Sequence, residues 1–429
     1  MDHRLPGLRQ PLGALAYRDF RRFAVALLLA SIGAQILNVA TLWQVYALTG
    51  SPLLLGLTGL ARAAPHIVLS LVGGVIADRV NRVRLIQAGQ LGNAALALSL
   101  AALTLSQTVD VWHIYVITFL ISAFTAVSQP ARNALIPKLV APATLVNAVG
   151  LNATIVQVAQ IVGPAVGGVA IGAIDLGPTY LLNGVAYLAG VAALVDIRAA
   201  VAPPATSDTP WNSLVEGLSF VRQKPVILSL LVLDVGETVL GSYRALLPVL
   251  SAMLDVGPGG YGLLSAAPGV GSVLGAMFIL SLGDMRYKGL YAVFGVLAYC
   301  AALVFLAASP AFLLSMIAAG FLGFTNSVQV IPRNSAILVI SPDALRGRID
   351  AFRSMLAGGG PPLGYTTSGA LAAALGAPAA LIAGAAACAA LVIAVAVSRR
   401  ELRDPDLGVY VPEPAGHPEP IEAEARGPR

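Results

Sequence analysis

Long apolar stretches recur along this chain of 429 residues, and they constrain its fold more than any other feature. A helix needs about 20 mainly apolar residues to cross a bilayer. Twelve such stretches are present: 23–48, 54–77, 85–105, 112–131, 146–173, 178–197, 226–252, 261–283, 289–308, 310–331, 352–374 and 378–398. Because 57% of the residues are hydrophobic and only 11% are charged, one globular core could not bury the apolar side chains. The sequence predicts an all-α polytopic membrane protein with 12 transmembrane helices.

Basic residues fall on one side of the predicted membrane. With a cytoplasmic N-terminus, all 26 Lys and Arg residues lie in cytoplasmic segments except Arg62 and Arg244, which lie within spans. Arg132 and Arg333 are among those assigned to cytoplasmic loops. This asymmetry follows the positive-inside rule. We therefore expect a multi-pass protein of the cytoplasmic membrane with both termini in the cytoplasm.

A Pro-rich segment divides the chain into two halves. Within it, WNSLVEGLSFVRQK at 211–224 has apolar residues at helical spacing, which predicts a short amphipathic helix on the inner membrane surface. The predicted segments are a cytoplasmic N-terminal segment (1–22), an N-terminal six-helix half (23–198), a cytoplasmic linker (199–225), a C-terminal six-helix half (226–398) and a disordered cytoplasmic tail (399–429).

The two halves also repeat one another. FTAVSQPARNALIPKLVAPATL at 124–145 aligns without gaps with FTNSVQVIPRNSAILVISPDAL at 324–345, and Gly56 matches Gly262. Internal duplication is typical of secondary transporters, whose substrate site lies between the repeats. We expect two pseudo-symmetric halves that enclose a site for a small molecule.

Other functional classes are excluded by pattern. The net charge of +5 is spread over short loops, so no nucleic-acid-binding domain is predicted. HExxH, GxSxG and clustered His/Asp patterns do not occur in the sequence, so we expect no enzyme, no catalytic residue, no metal and no cofactor. Cys300 and Cys388 both lie in spans and imply no disulfide framework. The expected partners are the lipid bilayer, a small-molecule substrate and protons, with the chain acting as a monomer.

GVIADRVNR at 74–82 resembles the signature that follows the second helix of the major facilitator superfamily, G-x-L-A-D-R-x-G-R-[RK]. Asn81 stands where the family usually has Gly. The resemblance implies a gate that closes the cytoplasmic side, with the motif residues Gly74, Asp78, Arg79 and Arg82. An acid at a helix C-terminus is unfavourable without a positive partner, which supports more than a structural role for Asp78. The alternative is an ordinary helix end.

The fifth span resembles the exporter pattern G(x8)G(x3)GP(x2)GG, with Ala159 in place of the second Gly. The matching residues are Gly150, Gly163, Pro164, Gly167 and Gly168. The resemblance implies a role in antiport, although close helix packing alone accounts for such spacing. YRDFRRF, LTGSPLLLGL, PARNALIPKLV and EGLSFVRQKP further resemble the enterobactin-exporter and macrolide-efflux branch of the superfamily.

The resemblance implies a proton-coupled exporter of amphipathic small molecules such as drugs, macrolide-like compounds or siderophores, working by alternating access. The alternative is an importer of a small metabolite on the same fold.

Ionisable residues inside spans are the candidates for proton coupling. Glu237, assisted by Asp234, is predicted near the midplane, where an acid costs about 2.5–3.5 kcal/mol on insertion scales. Arg244 is expected on the same helical face and Arg62 at a similar depth, so the alternative is a static salt bridge from Glu237 to one of them. His66 follows Arg62 by one helical turn and is interpreted either as a proton carrier or as a packing residue.

Uncharged polar residues also occur within spans, where they either line a cavity or join helices by hydrogen bonds. They are Gln35, Asn38, Gln44, Asn326 and Gln329.

Overall fold

The computed structural model describes residues 12–197, 219, 221–283, 285–341 and 346–404, which contain helices and no β-strand. The α-helices are α1 (Arg18–Thr49), α2 (Pro52–Arg79), α3 (Arg82–Leu105), α4 (Val111–Leu139), α5 (Leu145–Ile174), α6 (Leu176–Leu194), α7 (Pro225–Leu240), α8 (Leu247–Met253), α9 (Gly257–Ser281), α10 (Lys288–Ala308), α11 (Phe312–Ile340), α12 (Arg346–Leu375) and α13 (Ala377–Ser398). The first eleven residues, most of the linker with its predicted amphipathic helix, and the tail from 405 lie outside the described residues.

Ten segments of the described chain are long and apolar enough to cross a membrane. α6 and α12 pack among them, which accounts for the twelve predicted spans and confirms the all-α polytopic fold. Some helices are longer than predicted: α4 and α11 continue to Leu139 and Ile340, beyond the expected ends at 131 and 331. The described start of the tail, Arg400–Arg403, forms a 3-10 turn whose Leu402 is buried.

The seventh predicted span is broken within its length. α7 ends at Leu240, and the chain passes through a 3-10 turn at Arg244–Leu246 before α8 begins. The Tyr299 hydroxyl donates to the carbonyl of Gly241 at 2.9 Å, so a backbone acceptor freed by the break stays satisfied, as lipid requires. The expectation that Arg244 shares a helical face with Glu237 is therefore wrong, because no helix connects them.

The two halves have the same internal packing. α1 packs on α5 and α6 as α7 packs on α12 and α13, and α2 packs on α4 as α9 packs on α11. The equivalent helices α4 and α11 are each 29 residues long, and α5 and α12 are each 30. This correspondence confirms two pseudo-symmetric six-helix halves.

Two seams join the halves, one between α2 and α12 and one between α5 and α9. A glycine pair brings the backbones together in each. A Cβ built on Gly369 would lie 2.5 Å from the Cα of Gly56, and one built on Gly168 would lie 2.5 Å from the Cα of Gly262. Small residues permit such close approach of helices in lipid. Gly56 and Gly262, matched by the sequence repeat, thus have the same role in the two seams.

Among the described residues, close contact between the halves runs from one side of the membrane to the middle of the helices, where His66 of α2 meets Gly358 of α12. Gly56 lies near the start of α2 and Gly168 near the end of α5, which places them on the same side. Towards the opposite side, a Cβ added to Gly74 of α2 or Gly150 of α5 would meet no atom of the described residues within 4 Å. As far as the described residues show, the two seams are closed at the Gly56 and Gly168 side and open at the Gly74 and Gly150 side.

Replacing Gly262 by Ala should open the seam between α5 and α9. The new Cβ would lie 2.6 Å from the Cα of Gly168, so the backbones must separate. Gly259→Ala is the matched control on α9, because its Cβ would meet no described atom within 4 Å. We expect the midpoint of thermal unfolding of the purified protein to fall by several degrees for Gly262→Ala only. Equal midpoints for the two variants would contradict the close packing of this seam.

Candidate functional site

Two acids of α7 meet three polar residues of α11 inside the C-terminal half. The Glu237 carboxylate accepts hydrogen bonds from Asn326 Nδ2 at 2.9 Å and from Gln329 Nε2. Asp234 forms a salt bridge with Arg333, with 2.7 Å between Oδ1 and Nη2. Arg333 Nη1 also donates to Gln329 Oε1 at 2.9 Å. Gln329 therefore connects the ion pair to the second acid.

The geometry gives the two acids different surroundings. Asp234 has its charge balanced by Arg333. Glu237 is 2% exposed, and its direct partners are the two amides, with no salt bridge to any described residue. An uncompensated charge is costly in a membrane interior, so the two acids differ in whether a neighbouring cation balances their charge.

Arg333 is the member of the cluster that the sequence interpretation missed. It was assigned to a cytoplasmic loop because the predicted span ended at 331, whereas α11 continues to Ile340 and leaves Arg333 4% exposed. Arg132 was misplaced in the same way at the end of α4. Arg132–Asn133 and Arg333–Asn334 occupy the same positions counted from the starts of α4 and α11, although the gapless alignment of the two halves displaces them by one residue.

The alternative interpretation, a static salt bridge from Glu237 to Arg62 or Arg244, is not realised in the described part of the chain. Arg62 donates instead to Asn38 Oδ1 and, at 3.2 Å, to Thr41 Oγ1, both on α1. Arg244 lies with its Cζ 5.8 Å from the centre of the Tyr243 ring. Glu237 and Arg244 do line a common cavity of about 160 Å³, the Glu237 cavity.

Two further cavities are lined mainly by residues of the N-terminal half. The Arg62 cavity, about 190 Å³, is lined by Arg62, His66 and residues of α1, α4 and α12. The Arg132 cavity, about 330 Å³, is lined mainly by polar residues of α1, α3, α4 and α5. Ala34, Thr125 and Tyr187 line both, so the two cavities adjoin.

The uncharged polar candidates separate into distinct environments. Gln35 lines the Arg132 cavity and Asn326 the Glu237 cavity. Asn38 and Gln329 act as partners of Arg62 and Glu237. Gln44 is 2% exposed and bonds to Thr104 and Tyr180, which makes it a link between helices.

The histidine and the glycine motifs lie at helix contacts. His66 packs against Gly358 of α12, where an added Cβ would collide with the imidazole. On α5, Gly163 and Gly167 pack against α1, while Gly168 faces α9 with Pro164 one turn before it. Gly150 lies at the open end.

The predicted gate motif lies at the end of α2 and the start of α3. Gly74 faces open space among the described residues, and Arg79 is exposed. Arg82 Nη1 donates to the carbonyl of Ala134 on α4, within the same half, at 3.2 Å. The side chain of Asp78 lies outside the described part of the chain, so its role stays a prediction.

Removing one partner of the Asp234–Arg333 pair should destabilise the protein more than removing both. Breaking a buried ion pair costs about 3–5 kcal/mol because it leaves an unpaired charge, whereas replacing both partners is often neutral. We expect Asp234→Asn and Arg333→Gln each to lower the thermal unfolding midpoint, and the double variant to recover most of the loss. If the fall in the midpoint for the double variant equals the sum of the falls for the two single variants, the two residues are not paired.

Comparison with known proteins agrees with this architecture. The profile of a family described as "Transmembrane secretion effector" matches residues 9–424. The enterobactin exporter EntS of Shigella boydii serotype 4 (strain Sb227) is 24% identical over 335 residues, which cover 78% of this chain and 80% of that protein. EntS of Escherichia coli O81 (strain ED1a) gives the same identity and coverage.

Solved transporter structures share the fold. A bacterial homologue of the human lysosomal transporter Spinster, inward-facing and unoccupied, superposes with a TM-score of 0.69 at 14% identity, covering 89% of this chain and 95% of that one. The nucleoside transporter NupG superposes with a TM-score of 0.72 at 12% identity, covering 89% and 99%. The chain therefore belongs to the transmembrane secretion effector family of the major facilitator superfamily, and it is a multi-pass membrane transporter of small molecules.

Proposed function

We propose that this transporter is an exporter that exchanges protons for amphipathic small molecules such as drugs, macrolide-like compounds or siderophores. Export is supported by the family description and by the names of the exporter relatives. The observation that carries proton coupling is Glu237, a buried acid at a cavity whose direct partners are neutral amides. An importer on the same fold has no comparable support.

The amides around Glu237 can accommodate both of its protonation states. Arg333 holds the Oε1 end of Gln329, so the Nε2 end faces Glu237. Asn326 has no such restraint, and turning its amide would present Oδ1 as an acceptor. An ionised Glu237 would accept two hydrogen bonds, while a protonated one would accept from Gln329 and donate to Asn326.

The available driving force is sufficient for uphill export. One proton that enters down a potential of about 100 mV supplies about 2.3 kcal/mol. At about 1.4 kcal/mol per tenfold change in concentration, this supports a gradient of roughly 50-fold for a neutral substrate. Arg62, Arg244 and His66 adjoin the cavities and complete the proposed set of coupling residues with Asp234.

Glu237→Gln should separate binding from coupling. In proteoliposomes, this variant should still exchange substrate across the membrane but lose accumulation driven by a pH gradient, because its side chain cannot carry a proton. Thr238→Ser, at a neighbouring position that also lines the Glu237 cavity, is the control and should pump normally. Uphill transport by Glu237→Gln at the normal rate would exclude Glu237 as the carrier.

We also propose that the open side of the structure is cytoplasmic, in line with the distribution of basic residues. Both termini and the linker 199–225 would then be cytoplasmic, and the single chain would suffice as a monomer because each cavity lies within it. Gly74, Asp78, Arg79 and Arg82 would form the gate that closes this side, and the glycines of α5 would seal the opposite one. Alternation between the two closures would move the substrate outward.

Cysteine labelling tests this orientation. In a background with Cys300 and Cys388 replaced by Ser, Gly150→Cys should react in cells with a membrane-permeant thiol reagent and resist an impermeant one. Ser106→Cys, exposed between α3 and α4, is the control and should react with both. Adding Asp78→Asn should increase labelling at 150 if Asp78 holds the gate shut. Impermeant labelling at 150 would reverse the orientation.

A further inference from the structure

Arg132 has no counter-ion in the part of the protein that the structure describes. It lies within α4, about 10 Å before the helix end at Leu139 by the rise of 1.5 Å per residue. It is half-buried at the wall of the Arg132 cavity, and its guanidinium makes no salt bridge or hydrogen bond to any described residue. Neither this cavity nor the adjoining Arg62 cavity has an Asp or Glu among its lining residues.

The duplicated half shows what is missing. In the C-terminal half, the corresponding Arg333 of α11 is neutralised by Asp234 of α7. The equivalent of α7 is α1, whose acidic residue is Asp19 in its first turn. Where α1 lines the Arg132 cavity, it supplies Leu27, Ala30, Ser31, Ala34 and Gln35. The fold therefore provides the position for a carboxylate opposite Arg132 but leaves it apolar or neutral.

The rest of the cavity wall can bind an oxyanion. Carboxamides line it at Gln90, Asn93, Gln129, Asn133 and Asn152, and each amide nitrogen can donate two hydrogen bonds. Gln90 and Asn93 are 7% and 6% exposed, and an anion would be bound by their amide nitrogens, since the side-chain oxygens are acceptors. A planar guanidinium binds a carboxylate or a related oxyanion through two parallel hydrogen bonds.

We propose that the Arg132 cavity binds an anionic group of the transported molecule, a carboxylate or a phenolate, and that this group takes the place that Asp234 has beside Arg333. The inference rests on the proposed export function and narrows its substrates to amphipathic anions. The two halves then have different roles. Glu237 of the C-terminal half binds the proton, and Arg132 of the N-terminal half binds the anionic group of the substrate.

Binding of a matched probe pair to the purified protein tests this assignment without requiring transport. The probes are dansylglycine, a fluorescent amphipathic carboxylate, and its neutral methyl ester. The wild-type protein should bind the carboxylate at least tenfold more tightly than the ester. Arg132→Gln should remove this preference and Arg132→Lys should keep part of it, while Arg84→Gln, an exposed arginine of α3, should leave it unchanged.

A second variant keeps Arg132 and supplies its missing counter-charge. Ser31→Asp places a carboxylate on the α1 wall of the cavity and should reduce dansylglycine binding at least tenfold with little effect on the ester. Equal affinity of the two probes for the wild type, no measurable binding of dansylglycine, or a preference that survives in Arg132→Gln would each overturn the proposal. If the wild-type protein prefers dansylglycine to its ester but shows no pH-driven transport in proteoliposomes, the result would count against proton coupling and would leave the anion site supported.

Discussion

The ion pair between Asp234 and Arg333 is the interaction around which the polar cluster of the C-terminal half is arranged. Two charges inside a membrane protein are tolerated only when each is compensated, and here the compensation is direct, at 2.7 Å. Because Arg333 is used by Asp234, it is not directly bonded to Glu237. It still fixes the orientation of Gln329, which bonds to Glu237. The neighbouring acid, Glu237, is therefore left with amide partners and without a direct cation among the described residues.

The two halves differ in how their corresponding arginines are neutralised. An arginine occupies the same position in α4 and in α11, yet among the described residues only Arg333 of α11 has an acid opposite it. A symmetric scaffold therefore carries an asymmetric set of charges. Symmetry is kept where packing requires it, at the glycine pairs Gly56–Gly369 and Gly168–Gly262, and it is lost where the chemistry differs.

Much of the fold could be predicted because lipid imposes simple rules. Span length, the side preferred by basic residues and the repeat together predicted twelve helices in two related halves. Helix ends were predicted less well. A span predicted from hydropathy ends at the first polar residues, whereas a helix that packs against other helices can continue past them. This is why Arg132 and Arg333 were assigned to loops. The break after Leu240 was missed because the short polar stretch Gly241–Arg244 has apolar residues on both sides, which were read together as one span. The seam contacts were missed because they depend on distant segments.

The break in the seventh span also has a consequence for biogenesis. α8 has seven residues and is about 10 Å long, a third of the thickness of the hydrocarbon core. α7 brings two acids into the membrane, and the partners that satisfy them lie on α11, which is synthesised later. Neither α7 nor α8 is therefore stable in lipid as an isolated helix. We expect the seventh span to settle only after α11 has entered the bilayer, so that the C-terminal half inserts as a cooperative unit rather than one helix at a time.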